Sequence, residues 1–362
     1  MAREDANPLR RGWTTGACAA AAARAAFAAL LTGEFPDPVT IRLPRGQTPS
    51  FALALAELNG GNARAGIVKD AGDDPDVTHG ATIVAEITWG APGSGILFAA
   101  GEGVGTVTRP GLQLSVGEPA INPAPRAMIR ETLNDLADAN GAPSPDVTVT
   151  LAIPGGERLA EKTMNRRLGI VGGLSILGTT GIVVPYSCAS WVHSIHRGID
   201  VARAAGLDHI AAATGTTSER AVQRLYALPD HALIDMGDFV GGTLKYLRGH
   251  PVGRLTIAGG FAKMTKLAAG HLDLHSSKSQ VDPAMLAGIL AAAGADRETM
   301  AVASERDSAG ALLDAAGAWR NVLADGVARR AREVALATLS GATEVEVAIV
   351  DRGGEFLSRV GG

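Results

Sequence analysis

From Ile182 to Ala269 the chain repeats one arrangement: a short apolar run of strand type, then a longer run of helical period. The runs are Ile182 to Val184, Ser190 to Ala205, His209 to Thr214, Ser218 to Tyr226, Ala232 to Met236, Phe239 to Arg248, Arg254 to Ala258 and Lys263 to Ala269. Strands joined through helices cannot pair as hairpins, so the pattern predicts a parallel, doubly wound, Rossmann-like sheet. Such sheets bind ligands at the carboxyl ends of their strands. The first 150 residues read differently. An apolar helix, Ala17 to Leu31, capped by Thr14 or Thr15, precedes strand-like runs at Val39 to Leu43, Ser50 to Leu58, Ala63 to Val68, Thr82 to Thr88 and Ile96 to Ala100. Their period of two predicts a mixed or largely antiparallel sheet, with an amphipathic helix from Arg126 to Asn140 and a further strand from Val147 to Ile153. The expected class is therefore a two-domain α/β protein. A mixed-sheet α+β domain over 1–160 precedes a Rossmann-like domain over 161–362, whose last strand, 344–350, packs back on either domain. The boundary is placed in the Pro-Gly-Gly region around 154–172.

Length and composition agree with two cores. At 362 residues, with 46% hydrophobic and 19% charged residues, the chain exceeds what one core usually organises. A net charge of −4 and a pI near 6.1 argue against nucleic-acid binding, which leaves a basic footprint. Cys18 and Cys188 have no metal-type spacing and form no disulfide framework, so a reducing cytoplasm is expected. Arg10-Arg11 before the apolar run imitates a secretory signal, but Arg24 interrupts that run, which reads better as a core helix. No membrane span is expected.

Ionisable groups crowd one turn-rich stretch, Val68 to Gly80, which carries Lys69, Asp70, Asp73, Asp74, Asp76 and His79. Irregular loops on rigid scaffolds often carry function, and crowded carboxylates raise one another's pKa. A solvated acidic loop has the same composition. At a second place, His209 to Glu219 reads as a strand, a tight turn at Gly215 and a helix N-terminus at Thr216 and Ser218, whose free amides suit a polar or anionic group. Asp235 ends the next strand, where nucleotide-binding sheets hold ribose hydroxyls, and Asp238 is its substitute. Gly178-Thr179-Thr180-Gly181 forms a small-residue turn able to build a nest of amides, or simply a crossover. Lys263 and Lys266 stand one helical turn apart after Gly259-Gly260. His271 and His275 straddle Gly270 without a third ligand, so no metal is expected, and the pair His193 and His196 reads as structural.

Several of these segments, in order, resemble one family. Arg11-Gly12-Trp13-Thr14-Thr15-Gly16-Ala17-Cys18-Ala19-Ala20, the acidic stretch, Gly117 to Arg126, Gly173 to Gly181, Lys263 to Gly270 and His275-Ser276 are similar to motifs of the CbiD family of corrin-ring biosynthesis, and the likeness runs from about residue 9 to residue 350. The resemblance implies a ribosomal-S5-domain-2-like first domain. It also implies a cobalt-precorrin-5B C1-methyltransferase activity with S-adenosylmethionine as methyl donor and no protein-bound metal. Under it, Gly178, Thr179, Thr180, Gly181, Gly215, Thr216, Ser218 and Asp235 bind the donor. Thr14, Thr15, Lys69, Asp74, Asp76, Lys263, Lys266 and His275 bind a substrate rich in acetates and propionates, and His79, Asp73 or Asp70 supplies any base. The implied partner is a corrinoid small molecule, with no nucleic acid and no membrane, and a homo-oligomer is left open. Two departures stand out. Val184-Pro185-Tyr186-Ser187-Cys188-Ala189 replaces an acidic segment common among relatives, which opens a cobalt-free precorrin as substrate, and Ala17 replaces a hydroxyl residue. A nicotinamide-dependent oxidoreductase and a non-catalytic tetrapyrrole carrier are the competing functions. The former would be stabilised by NAD(P), and the latter would bind a corrinoid without consuming the donor.

Overall fold

A computed structural model describes residues 8–304 and 308–361. The chain divides into two compact units, Met1–Ser187 and Cys188–Gly362.

The first unit is organised by helix α1, Thr15–Thr32. Alanine has the highest helix propensity and the smallest apolar side chain, so an alanine-rich helix can be sheathed on every side without steric cost. Ala17 to Ala26, apart from Arg24, are wholly buried, and Phe27 is buried with them. The helix is long and apolar enough to cross a membrane by composition, yet 78% of it is buried inside the protein. It packs against α2, Pro123–Ala139, and against a five-stranded sheet. That sheet comprises β1 (Leu55–Asn59), β2 (Asn62–Val68), β3 (Thr82–Trp89), β4 (Ile96–Ala100) and β5 (Val147–Ala152), in the order β1-β2-β3-β5-β4. All pairs are antiparallel except β4 with β5. The alternating burial of β5 puts Val147, Val149 and Leu151 under the helices.

Besides the hairpin pairing of Val39–Thr40 with Ser50–Phe51, two further two-residue ladders complete the unit: Gly12–Trp13 with Ile182–Val183, and Thr106–Val107 with Ile170–Val171. Residues 161–187 thus belong with the first unit, beyond the compositional change near 154–172. Pairings this short join positions far apart in sequence and leave no local period to read.

The second unit contains α3 (Cys188–Ala204), β6 (His209–Ala213), α4 (Thr216–Tyr226), β7 (Leu233–Asp235), α5 (Val240–Gly249), β8 (Arg254–Gly260) and α6 (Phe261–Ala268), close to the expected ranges. It continues through α7 (Pro283–Ala293), α8 (Arg297–Ser304), α9 (Ala309–Ala315) and α10 (Arg320–Leu339) to β9 (Glu344–Val350) and β10 (Phe356–Val360). The sheet order is β7-β6-β8-β9-β10, with β7, β6, β8 and β9 parallel and β10 antiparallel at the edge. The strand Glu344–Val350 therefore pairs within the second unit, next to β8. The large core on one face includes Ile210, Leu244, Leu255, Met264, Leu323, Val327 and Val347, and α4 covers the other face over Ala211, Leu233 and Ala348.

On the α4 side the sheet carries one buried charge. Glu346 on β9, 2% exposed, accepts hydrogen bonds from Tyr226 (2.6 and 2.7 Å), Thr256 (2.8 Å) and the guanidinium groups of Arg254 (3.3 Å) and Arg359 (3.1 Å). A carboxylate out of water is tolerable only when its lone pairs are occupied, and removing it strands its cationic partners. E346A is expected to lower unfolding free energy by about 3 kcal/mol in urea titration, and E346Q by less. A loss near zero would show that Arg254 and Arg359 are fully rescued by water.

Candidate active site

The sequence-predicted site residues divide between the two units. In the first they meet at the start of α1. Thr14 is its N-cap, the Oγ1 accepting from the Ala17 N–H at 3.2 Å. The Thr14 N–H donates to the Gly181 carbonyl at 3.0 Å, and the Gly16 N–H to that of Leu177 at 3.0 Å. Thr15 Oγ1 both donates to the Leu177 carbonyl (3.0 Å) and accepts from its N–H (3.1 Å). Gly178, at φ +123°, lies so close that a Cβ there would stand 2.3 Å from the Thr14 side chain. The two small-residue motifs, Thr14-Thr15-Gly16 and Gly178-Thr179-Thr180-Gly181, are thus complementary halves of one clamp. Thr14 and Thr15 are buried within it, whereas Thr179 is exposed.

The acidic loop is fastened beside that clamp, onto residues 10–13. The Trp13 N–H donates to the Asp70 carbonyl at 2.7 Å, and a Cβ on Gly12 would fall 2.0 Å from the Ala71 backbone, so only glycine permits this approach. Asp70 forms a two-pronged ion pair with Arg10 and accepts the Gly72 N–H at 2.9 Å. Those hydrogen bonds and the guanidinium charge hold its carboxyl at about 2. Asp73 accepts the Arg10 N–H at 2.6 Å, and Asp74 the Tyr186 N–H at 2.8 Å. Lys69, 1% exposed, pairs with Asp76 and donates to Thr78 Oγ1 at 2.7 Å. Burial pushes the Asp76 carboxyl up, but the Lys69 ammonium and the hydrogen bonds from Lys69 and Thr78 outweigh it and leave the group below the usual range.

His79 differs from the carboxylates. Its Nδ1 accepts the Ala71 N–H at 3.1 Å, which assigns the ring proton of the neutral imidazole to Nε2, and about half of the side chain is exposed. The remaining free polar atom is thus a donor. Cys18, inside α1, has its thiol pushed up to about 12 by burial and is chemically inert.

In the second unit the candidates line the carboxyl edge of the parallel sheet. Ala213, Asp235 and Ala258 are in register, so the Thr214-Gly215 turn, Asp235 and Gly259-Gly260 end together. Gly215 and Gly260 have open space where a side chain would stand, and Ser218 Oγ donates to the Gly215 carbonyl at 2.8 Å in the first turn of α4. Lys263 Nζ donates to the Thr214 carbonyl at 3.0 Å and lies 3.1 Å from Asp238 Oδ1, tying strand end, loop and helix together. Lys266 Nζ donates to the Leu274 carbonyl at 2.9 Å, and the Leu274 N–H donates to the Asp238 carbonyl at 2.9 Å. Both ammonium groups, expected on substrate carboxylates, are thus engaged with the protein's own oxygens. His275 is exposed, its Nδ1 2.8 Å from Ser277 Oγ. Trp191, absent from the expected site, sends its indole N–H to the Asp235 carbonyl at 3.2 Å. His196 stacks on Tyr246 with ring centroids 3.9 Å apart. No cluster of three or more metal-ligating side chains occurs among the described residues.

Comparison with known proteins assigns the lineage of this arrangement. Residues 2–185 match the family model described as CbiD, and residues 273–361 the one described as CbiD, C-terminal domain. The chain belongs to the CbiD family. The cobalt-precorrin-5B C(1)-methyltransferase of Brucella anthropi is 58% identical over 353 residues, covering 97% of this chain and 96% of its own. The protein of the same name from Bradyrhizobium sp. strain BTAi1 is 61% identical, covering 97% and 94%. That from Methylorubrum extorquens is 60% identical, covering 96% of each. The crystal structure of a cobalamin biosynthesis protein (cbiD) from Archaeoglobus fulgidus shares 30% identity at a TM-score of 0.40, covering 70% of this chain and 77% of that one. The first CbiD match ends two residues before the first unit does, so clamp and acidic loop lie wholly inside it.

The Arg10–Asp70 pair carries a pH signature. Because the folded-state pKa of Asp70 is depressed, its contribution is present above the ordinary carboxylate value, near 3.8, and is lost as pH falls through about 2. D70N is expected to melt below the wild type at pH 7, with the gap closing as pH falls from about 4 through about 2, read by circular dichroism. A melting difference independent of pH would discard the ion pair as its cause.

Proposed function

We propose that this protein transfers a methyl group from S-adenosylmethionine to C1 of cobalt-precorrin-5B. The observation that carries the reading is the identity of 58–61% along nearly the whole of both chains with proteins named for that reaction. The cobalt belongs to the substrate. The donor brings an activated sulfonium methyl, so the chain's own work is to position, shield and polarise.

We assign the donor to the carboxyl edge of the parallel sheet, a Rossmann-like arrangement, and the ribosomal-S5-domain-2-like fold to the first unit. Open space at Gly215 and Gly260 allows a ligand to approach backbone amides, the N-terminus of α4 offers further donors, and Asp235 is the carboxylate for ribose hydroxyls. Lys263 holds the Thr214-Gly215 turn in place through the Thr214 carbonyl. Thr216 and Ser218 belong to the same turn, with Ser218 securing it. The clamp of Thr14, Thr15 and Gly178 to Gly181 supports the loop that faces the substrate.

Within that loop we assign His79 as a hydrogen-bond donor through Nε2, because Nδ1 is already engaged by Ala71. Asp70 and Asp73 then anchor the loop to Arg10, and Lys69 with Asp76 braces it from beneath. A donor of this kind can hold a substrate carboxylate so that the nucleophilic ring carbon, which gives its electron pair to the methyl as the carbon–sulfur bond breaks, faces the sulfonium.

Purified protein with labelled S-adenosylmethionine and cobalt-precorrin-5B should place label on C1, read by mass spectrometry and NMR; label at another carbon, or none, would overturn the proposal. Asparagine can accept the Ala71 N–H but cannot donate where Nε2 does, whereas glutamine can. H79N should lower kcat by about a hundredfold with little loss of melting temperature, and H79Q should recover part of it. Equal losses in both variants would refute the Nε2 donor. Filling the glycine cradle with G215L should raise the Kd for S-adenosylmethionine by about tenfold or more, measured by calorimetry, at unchanged fold.

A further inference from the structure

Among the described residues, three that are not glycine hold a left-handed backbone: Ala227 at φ 49°, Ser340 at φ 50° and Tyr186 at φ 55°. Ala227 and Ser340 close helices α4 and α10, where such a turn is the ordinary way to stop. Tyr186 closes no helix, and for a bulky side chain that region is an outlier. What holds it there is the acidic loop, since the Tyr186 N–H donates to Asp74 Oδ1 at 2.8 Å. The strain is not offset by packing, because the residue is 66% exposed. Strained residues that the surroundings keep in place concentrate where ligands bind.

The neighbours point to the ligand's chemistry. Val184 is 50% exposed. Val184 follows Val183 and Arg11 precedes Gly12, so both flank the same end of the Gly12–Val183 pairing. The Arg11 guanidinium is exposed and has no partner among the described residues, while that of Arg10 is spent on Asp70. An exposed tyrosine, an exposed aliphatic residue and a free guanidinium at one end of the ladder match a broad conjugated macrocycle edged with carboxylates. The nearby aspartates do not repel such a ligand as four free charges, because Arg10 and Lys69 neutralise two of them and backbone N–H groups occupy the others.

We propose that Tyr186, Val184 and Arg11 form a contact surface for the tetrapyrrole substrate: the tyrosine ring lies against the macrocycle and Arg11 takes one of its acetate or propionate carboxylates. Asp74 is the positioning residue that sets the ring. The proposal deepens the function given above and rests on it.

The test measures binding of dicyanocobyrinic acid, a polycarboxylate corrinoid, by absorbance titration, together with methyl-transfer kinetics on cobalt-precorrin-5B. Y186A should raise Kd and KM by about tenfold with a smaller change in kcat, and Y186F, which keeps the ring, should return both toward the wild type. Y186G relieves the backbone strain, so it should melt above Y186A and yet bind as weakly. A purely structural tyrosine predicts the opposite, recovery of Kd by glycine. D74A should weaken binding and add little to Y186A, because both act through one ring. R11Q should weaken binding and flatten its salt dependence. Kd and KM within about twofold of the wild type in both Y186A and Y186G would overturn the surface while leaving the methyltransferase reading intact. Probe binding that weakens in Y186A, without any methyl transfer by the wild type, would overturn the function instead. Loss of self-association in Y186A without change in Kd would mark the patch as a contact between copies of the chain and overturn the proposal.

Discussion

The first unit depends on a hydroxyl clamp at the head of an alanine helix. Four amides at the start of any helix lack intrahelical partners, and here the segment bearing two of them is engaged: Thr14 caps the Ala17 N–H, and Gly16 donates to Leu177. Thr15 then grips both the N–H and the carbonyl of Leu177, across 162 positions of sequence. An alanine helix contributes little apolar area per residue, so it needs close approach on every side and a fixed axial position. The clamp supplies the latter, and the missing Cβ atoms of Gly16 and Gly178 make the former possible.

From that fixed point the acidic loop acquires its order. The strand Gly12–Trp13 runs directly into the helix, so whatever binds residues 10–13 is held in register with the clamp. Asp70, Asp73 and the Ala71 backbone all attach there, and Lys69 fastens the far side of the loop from inside the core. The charge density that looks catalytic in the sequence is mostly a set of fasteners. Among the groups left facing outward are the Nε2–H of His79, the guanidinium of Arg11 and the ring of Tyr186 on its left-handed backbone. The second unit follows the same economy at its sheet edge, where Lys263 and Lys266 stabilise carbonyl oxygens and leave the glycine turns open.

Much of the fold was legible because local periodicity records it. The strands at Asn62–Val68, Thr82–Trp89 and His209–Ala213 and the helices Thr15–Thr32 and Thr216–Tyr226 fall where apolar spacing places them. The helices between Pro283 and Leu339, and the edge strand Phe356–Val360, went unassigned. Alanine and glycine blur the contrast between faces in α7, and β10 is an edge strand whose exposed Arg359 reaches back to a buried glutamate. The ladder of Gly12–Trp13 with Ile182–Val183 left no trace in any window, since two residues carry no period.

The sequence by itself determined the alternation of strands and helices from His209 to Ala268, the family, the residue types gathered in the acidic stretch and the glycine turns at the strand ends, because each is a property of neighbours along the chain. Which of those groups are spent on the protein and which remain for a ligand was decided only by the tertiary structure. Asp74, an apparent acid, holds the backbone of Tyr186, and Lys263, an apparent anion receptor, holds the Thr214 carbonyl. Hydrogen-bond capacity is finite, and only the folded arrangement, which here brings partners together across 112 and 49 residues, shows where it has been used.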